Sequence, residues 1–375
     1  MTAQGNPLRR LFLFRKRVAN RRLFHAILNA FEFIIGRNGF MEAKARMAII
    51  DVYPGSPTAI QDAVAAANPG DVVLVHKGVY SERVRLSTDQ SNVRIVSHRK
   101  NLAILDGRHA LSEAFALDNV FGAEISGFAI RNYLSSGITI ATGKSNRVIR
   151  NWISAISGGS NPTGLSVEQS VGNLLARNTV VRIGKAGSGI GTGIRLNGST
   201  GNWTIDNWIR RNSAHGIEIS GSGHNAISGN RIFGNRGEGI MLNELDNTLI
   251  LGNRLVRNGS NGVNSQGTNS LILNSTIMGN RQNGILWNSN YGFAGFNEIT
   301  DQRQSGINVN SDFNDIQANR MVRNRLYGVF IRSAHRANFL FRNRFKNNKP
   351  RNIKDEGENN SIIPNRLHDD RAARR

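Results

Sequence analysis

Gly216-Ile217-Glu218-Ile219 is followed one period later by Gly239-Ile240-Met241-Leu242, and two periods after that by Gly284-Ile285-Leu286-Trp287. Within each phrase two apolar residues flank one that points the other way, which is the period of a half-buried strand. The same glycine phrase opens at Gly137, Gly164, Gly193, Gly262, Gly306 and Gly328, so the steps along the chain are 27, 29, 23, 23, 23, 22, 22 and 22 residues. A second phrase, Asn followed by any residue and an apolar one, runs with it at Asn151, Asn178, Asn207, Asn230, Asn253, Asn297, Asn319 and Asn343, with Ser275 in the one empty slot. A shorter asparagine phrase falls at Asn202, Asn225, Asn247, Asn269, Asn314 and Asn338. Each period therefore carries three short apolar runs separated by Gly or Asn.

Three such strands cannot bury their faces within one repeat, whereas stacked turns share a core. The expected fold is all-β: a parallel β-helix of about twelve rungs, on the order of 55 Å long at the usual strand spacing. Glycine and asparagine at the corners accept positive φ, and stacked Asn side chains bond along a corner as a ladder. A helical solenoid would need long runs at 3.6 spacing, and a leucine-rich repeat its leucines; neither is present.

The 375 residues include 40 Gly, 7 Pro and no Cys. Without cysteine there is no disulfide framework, thiolate zinc site, iron–sulfur cluster or thiol nucleophile. The net charge is +22, which favours polyanionic partners. Residues 1–46 contribute ten Lys/Arg against two Glu, and residues 342–375 ten against five Asp/Glu. We divide the chain into a basic leader at 1–46, either helical or a misassigned start, a β-helix at 47–348, and a cap with a basic tail at 349–375. No apolar run reaches the ~20 residues of a membrane span. The segment Arg15–Ile35 reads as a basic amphipathic helix suited to an anionic membrane surface and makes a poor signal peptide.

The start of the repeat region has its own pattern. Ala59-Ile60-Gln61-Asp62-Ala63-Val64-Ala65-Ala66-Ala67 reads as a short capping helix, Pro69-Gly70-Asp71 as a turn and Val72-Val73-Leu74-Val75 as the first core strand. Gly78-Val79-Tyr80-Ser81-Glu82 follows. With these phrases, roughly residues 52–348 resemble the right-handed parallel β-helix proteins of the pectin-lyase-like superfamily, in particular their carbohydrate-binding and sugar-hydrolase repeat branch, which includes the nitrous-oxide-reductase maturation type. The resemblance implies a polysaccharide-facing solenoid in the cell envelope or outside the cell. It does not carry over a catalytic set. The polygalacturonase phrases, the Asp-Pro-His-Asp of alginate epimerases and the later aspartates of methylesterases are absent. No cofactor is expected; calcium, which needs six to eight oxygens, is left open, with no acidic ligand cluster identified in the repeats. Tyr80 and Glu82 are accordingly read as structural.

Stacking equivalent positions narrows the search for chemistry. Arg195 and Glu218 become neighbours on the outward face of the glycine strands, His215 lies beside Glu238, and Glu244 follows at the corner. These five residues form the candidate catalytic set: His215 as base, Arg195 for a substrate carboxylate, a glutamate as acid or orienter. The alternative is a solvated face of stacked opposite charges. His76, His98, His224 and His335 read as isolated. Arg231, Arg254 and Arg320, each following a corner Asn, form a basic stripe that suits carboxylates, sulfates or phosphates. Arg211, Arg236, Arg257, Arg281, Arg303 and Arg323 lie a few residues further on. Trp152, Trp203, Trp208 and Trp287 are candidates for stacking on sugars, with burial as the alternative. The leading functional expectation is binding of an acidic polysaccharide, with lyase or epimerase processing in its enzymatic form. The rival is a non-enzymatic adhesin, phage fibre or envelope scaffold. Nucleic acid ranks third, having the charge but no recognised motif.

Overall fold

Strand alternation buries Ile217, Ile219, Ile240 and Leu242 completely and turns Glu218 and Met241 outward. Repeated turn after turn, that alternation builds a parallel β-helix. The computed structural model describes residues 47–368, except for the side chains of residues 244–246 and 368. The basic leader and the last residues of the tail lie outside the described residues.

Three parallel sheets run the length of the coil, with 14, 12 and 13 strands. The fourteen-stranded sheet starts at Ile49–Val52 and ends at Ser361–Ile362. The twelve-stranded sheet holds the glycine phrases, from Val84–Leu86 to Arg351–Asp355, and the thirteen-stranded sheet runs from Gly78–Tyr80 to Arg366–His368. There are about fourteen turns, which at ~4.8 Å per strand gives an axis of about 60 Å. The turns beyond twelve come from the two ends, where strands form without the recurring phrases.

Among the described residues a single short α-helix, Ala59–Ala66, lies near the start with Ile60 and Val64 fully buried. Glu82 holds it there: its two carboxylate oxygens accept the Ile60 and Gln61 amides at 3.0 and 2.9 Å. The Tyr80 hydroxyl donates to His76 O at 2.9 Å. Both residues of the Gly-x-Tyr-x-Glu phrase thus anchor the first turn.

The corners correct the sequence reading in two ways. The phrase glycines are not left-handed. They are small because the next turn is close: a Cβ on Gly216 would lie 2.6 Å from Gly239 O and 2.5 Å from Ile232 Cγ2. The left-handed slots are filled instead by other glycines and by residues such as Arg177, Arg211, Arg257 and Arg323, at φ of +57, +55, +53 and +54°. Secondly, the two asparagine ladders legible in the sequence are joined by another at the remaining corner. Asn151, Asn178, Asn207, Asn230 and Asn253 pass Nδ2–H to the next Oδ1 at 3.0–3.2 Å. Asn146, Asn173, Asn202 and Asn225 do the same on a second corner at 3.0–3.2 Å. Asn247 and Asn269 are not its next members. They sit one residue earlier at positive φ, and register places Thr248 and Ser270 in the ladder slots. A third ladder, Asn212, Asn235, Asn258, Asn280 and Gln302, lines the remaining corner at 3.0–3.1 Å. Its spacing of 23, 23, 22 and 22 is visible in the sequence.

Candidate functional site

On the outer face of the twelve-stranded sheet, the expected neighbours meet. Arg195 and Glu218 are register partners, with Glu218 Oε2 3.1 Å from Arg195 Nε and 3.0 Å from Nη2. The same oxygen accepts the Thr192 hydroxyl at 3.1 Å, and Arg195 Nη2 also donates to Asn161 Oδ1 at 2.7 Å. The two side chains are four-fifths buried or more. The Nε and Nη2 donors of the guanidinium are thus committed to protein partners. His215 Nδ1 accepts the Glu238 amide at 3.1 Å. That bond assigns the proton of the neutral ring to Nε2, so His215 presents a donor outward and has its basic lone pair occupied. Glu238 is buried: Oε2 accepts the Asn261 amide at 2.6 Å, and Oε1 accepts the Ser260 hydroxyl at 2.9 Å. The side chain of Glu244 lies outside the described residues. Four of the five candidate residues thus stand as two bonded pairs, Arg195 with Glu218 and His215 with Glu238.

The outer face of the thirteen-stranded sheet is organised differently. Trp208, Arg231 and Arg254 stand in register on three successive strands. Trp208 is 40% exposed. Two residues on, Arg210 and Phe233 are also register partners. The Arg210 guanidinium lies over both rings, 4.9 Å from the Trp208 centroid and 5.8 Å from that of Phe233, a cation–π arrangement that holds the indole face in place. Together they form a shallow groove of about 270 Å³ lined by Trp208, Arg231, Ile232, Phe233, Arg254 and Val256. A second hollow on the far side of Trp208, lined by Arg177 and Arg231 among others, holds about 380 Å³.

Charge decides which arginines are open to a ligand. Arg231 and Arg254 are exposed and have no acidic partner among the described residues. At strand spacing their like charges repel by about 1 kcal/mol in water, a cost that a bound anion offsets. Arg320 continues the column but is paired with Glu298 at 2.7 Å, and Arg323 makes a two-pronged contact with Asp301 at 2.7 and 2.8 Å. That pairing holds the Asp301 carboxyl below its usual range. Of the four tryptophans, Trp287 is fully buried and Trp208 is the exposed one of the thirteen-stranded face. Sequence reasoning named Trp208 and the arginines but missed Phe233 and Arg210. The signal was the two-residue offset within each Asn phrase, which puts positions 210 and 233 on the same outer face.

Among the described residues no group of three or more His, Cys, Asp or Glu is placed to hold a metal ion. The nearest approach is His76, whose Nε2 lies 2.6 Å from Asp51 Oδ1 and whose ring is 4.6 Å from that of His98. His76 and His98 are therefore not isolated.

Comparison with known proteins gives one family and several structures of like fold. The family model described as periplasmic copper-binding protein (NosD) matches residues 64–270. The A-module of the Azotobacter vinelandii mannuronan C-5 epimerase AlgE6 superposes with a TM-score of 0.68 at 16% identity, covering 83% of this chain and 95% of that one. The corresponding module of AlgE4 from the same organism gives 0.64 at 17%, covering 82% and 94%. The catalytic domain of a GH87 alpha-1,3-glucanase in complex with nigerose gives 0.64 at 10%, covering 86% and 69%. At these identities the likeness is one of fold. No curated protein matches the sequence.

Proposed function

The chain belongs to the NosD family of β-helix proteins, and on that footing we propose that it binds an acidic polysaccharide along the outer face of its thirteen-stranded sheet. The observation that carries the reading is the register of Trp208, Arg231 and Arg254, one aromatic face and two unpaired guanidinium groups on successive rungs. A ring face takes the C–H surface of a sugar, and each guanidinium takes a carboxylate or sulfate on a neighbouring sugar. The structures of like fold support a carbohydrate partner, since their descriptions name mannuronan and glucan as what those proteins act on. Processing is a further proposal. It would fall to the twelve-stranded face and to the candidate set His215, Arg195, Glu218, Glu238 and Glu244, with His215 Nδ1 occupied by the Glu238 amide and Nε2 left as its donor.

The copper of the family description does not fit the described residues. Copper takes imidazole, thiolate or thioether donors. The chain has no cysteine, and among the described residues no group of three or more His, Asp or Glu is placed to hold an ion.

The test is calorimetric titration of the full chain with oligouronates and sulfated oligosaccharides. Replacing both Arg231 and Arg254 with Gln should weaken binding at least tenfold and flatten its salt dependence, since exposed charges are screened over ~8 Å at physiological salt. Unchanged affinity for every acidic glycan would remove this face as the binding surface. For processing, His215→Ala with unaltered turnover of a verified substrate would discard the twelve-stranded face.

A further inference from the structure

On the corner that joins the twelve-stranded to the fourteen-stranded sheet, one slot per turn is left-handed. His224, Asn247 and Asn269 fill it at φ of +55, +55 and +53°. Asn and His are among the non-glycine residues that tolerate this region best. The next two turns fill it with Tyr291 and Phe313, at +57 and +58°, and the turn after with Ala337 at +56°. Bulky rings are poorly suited to this conformation, and burial does not offset the strain: Tyr291 is 58% exposed and Phe313 43%. The rings are parallel within 8°, with centroids 5.1 Å apart.

Beside them, His335 has a partner that the sequence did not reveal. Its Nδ1 lies 3.1 Å from Asp312 Oδ1, which also accepts the Arg336 amide at 3.1 Å. Asp312 directly precedes Phe313. The carboxylate fixes a proton on Nδ1 and leaves Nε2 as a lone-pair acceptor in the neutral ring. Nε2 has no partner among the described residues, and both side chains are about one-quarter exposed. This is the reverse of His215, whose Nδ1 is the acceptor.

We propose that Tyr291, Phe313, Asp312 and His335 form a second carbohydrate site, separate from the thirteen-stranded face, that takes a neutral hexopyranose. A pyranose presents C–H bonds on one face and hydroxyls around its rim. The ring pair takes the face, while His335 Nε2 and the Asp312 carboxylate accept from the hydroxyls. A uronate is disfavoured, because its carboxylate would approach that of Asp312. The site rests on residues and contacts independent of the polyanion reading.

The test is titration of the full chain with cellohexaose, laminarihexaose and mannohexaose, with an oligouronate and an oligothymidylate as comparisons, since nucleobases also stack on aromatic rings. Tyr291→Asn and Phe313→Asn install the residue that the same slot carries at Asn247 and Asn269. The thermal midpoint should therefore hold or rise, while affinity for a neutral hexasaccharide falls at least tenfold. His335→Ala should weaken it several-fold, and replacing Arg231 and Arg254 with Gln should leave it unchanged. Absence of neutral hexasaccharide binding at millimolar concentration would overturn the proposal. So would wild-type affinity in both Asn variants, or a loss confined to the oligouronate or the oligothymidylate. A lower midpoint with intact binding would assign the ring pair to coil stability and overturn it as well.

Discussion

Replacing Asn230 with Ala removes more hydrogen bonds than any change to an exposed residue could. Asn230 Oδ1 accepts the Asn207 amide at 2.9 Å and Asn207 Nδ2 at 3.0 Å. Its Nδ2 donates to Thr204 O at 2.8 Å, Ser228 O at 3.2 Å and Asn253 Oδ1 at 3.0 Å. The side chain is fully buried, so water cannot replace these partners. The Asn207 amide is left unpaired, at about 1–3 kcal/mol for an orphaned buried donor. The carbonyls and Asn253 Oδ1 lose one partner each but retain others, adding roughly 1 kcal/mol. The expected cost is about 3 kcal/mol, read from urea denaturation. Hydrogen exchange should rise first in the turns around Asn207 and Asn253, because solenoid turns couple mainly to their neighbours. Asn247→Gly is the control. That residue is exposed and left-handed at +55°, a conformation glycine adopts freely, so the change should be within about 0.5 kcal/mol of neutral. A cost below 1 kcal/mol for Asn230→Ala, or equal costs for the two variants, would refute the argument that the ladder holds the corner.

Ser275→Asn should restore the interrupted ladder and raise stability by about 1 kcal/mol, since Ser275 Oγ accepts only the Asn253 backbone amide, whereas a ladder asparagine also accepts the Nδ2–H of the turn before. Ile240→Ala empties a fully buried core position and should cost roughly 2–5 kcal/mol in the same assay; a near-neutral result would shift the register. Arg320→Gln should leave polyanion affinity within about twofold of wild type, because its charge is already paired with Glu298, whereas Trp208→Ala should lower it markedly. Asp315 stands between Phe293 and Phe339 on the fourteen-stranded face, with Oδ1 buried and unpartnered. Desolvation raises its pKa, partly offset by a hydrogen bond from Gln317. The folded chain therefore holds this proton more tightly than the unfolded chain. The contribution is fully present below the usual value of 3.8 and lost as pH rises through the folded pKa. Asp315→Leu should accordingly stabilise the protein by about 1 kcal/mol at pH 7, with the gain shrinking below pH ~4; an equal gain at both pH values would exclude the charge as its cause.

The strand alternation at Ile217/Ile219 and Ile240/Leu242, and its recurrence every 22 or 23 residues, determine the coil from sequence alone. Period two and period 22 are properties of the covalent order, and stacking makes every turn repeat the same inward choice. The vertical neighbours Arg195 and Glu218 were legible for the same reason. What the sequence could not decide was which neighbours are already spent. Whether Arg231 is open and Arg320 closed depends on Glu298 standing one rung from Arg320 while no acid reaches Arg231, and that is settled by side-chain reach across turns. His215 and His335 look alike as letters. One ring accepts a backbone amide and the other meets a carboxylate, because the corner between sheets turns Glu238 N toward the first and Asp312 toward the second. The left-handed slots also escaped the sequence, since the coil's corners force +50 to +60° on arginine and aromatic residues that have no preference for it. Periodicity fixes the position of each Cα; the chemistry of a site depends on the few ångströms beyond it, which only the packing of adjacent turns determines.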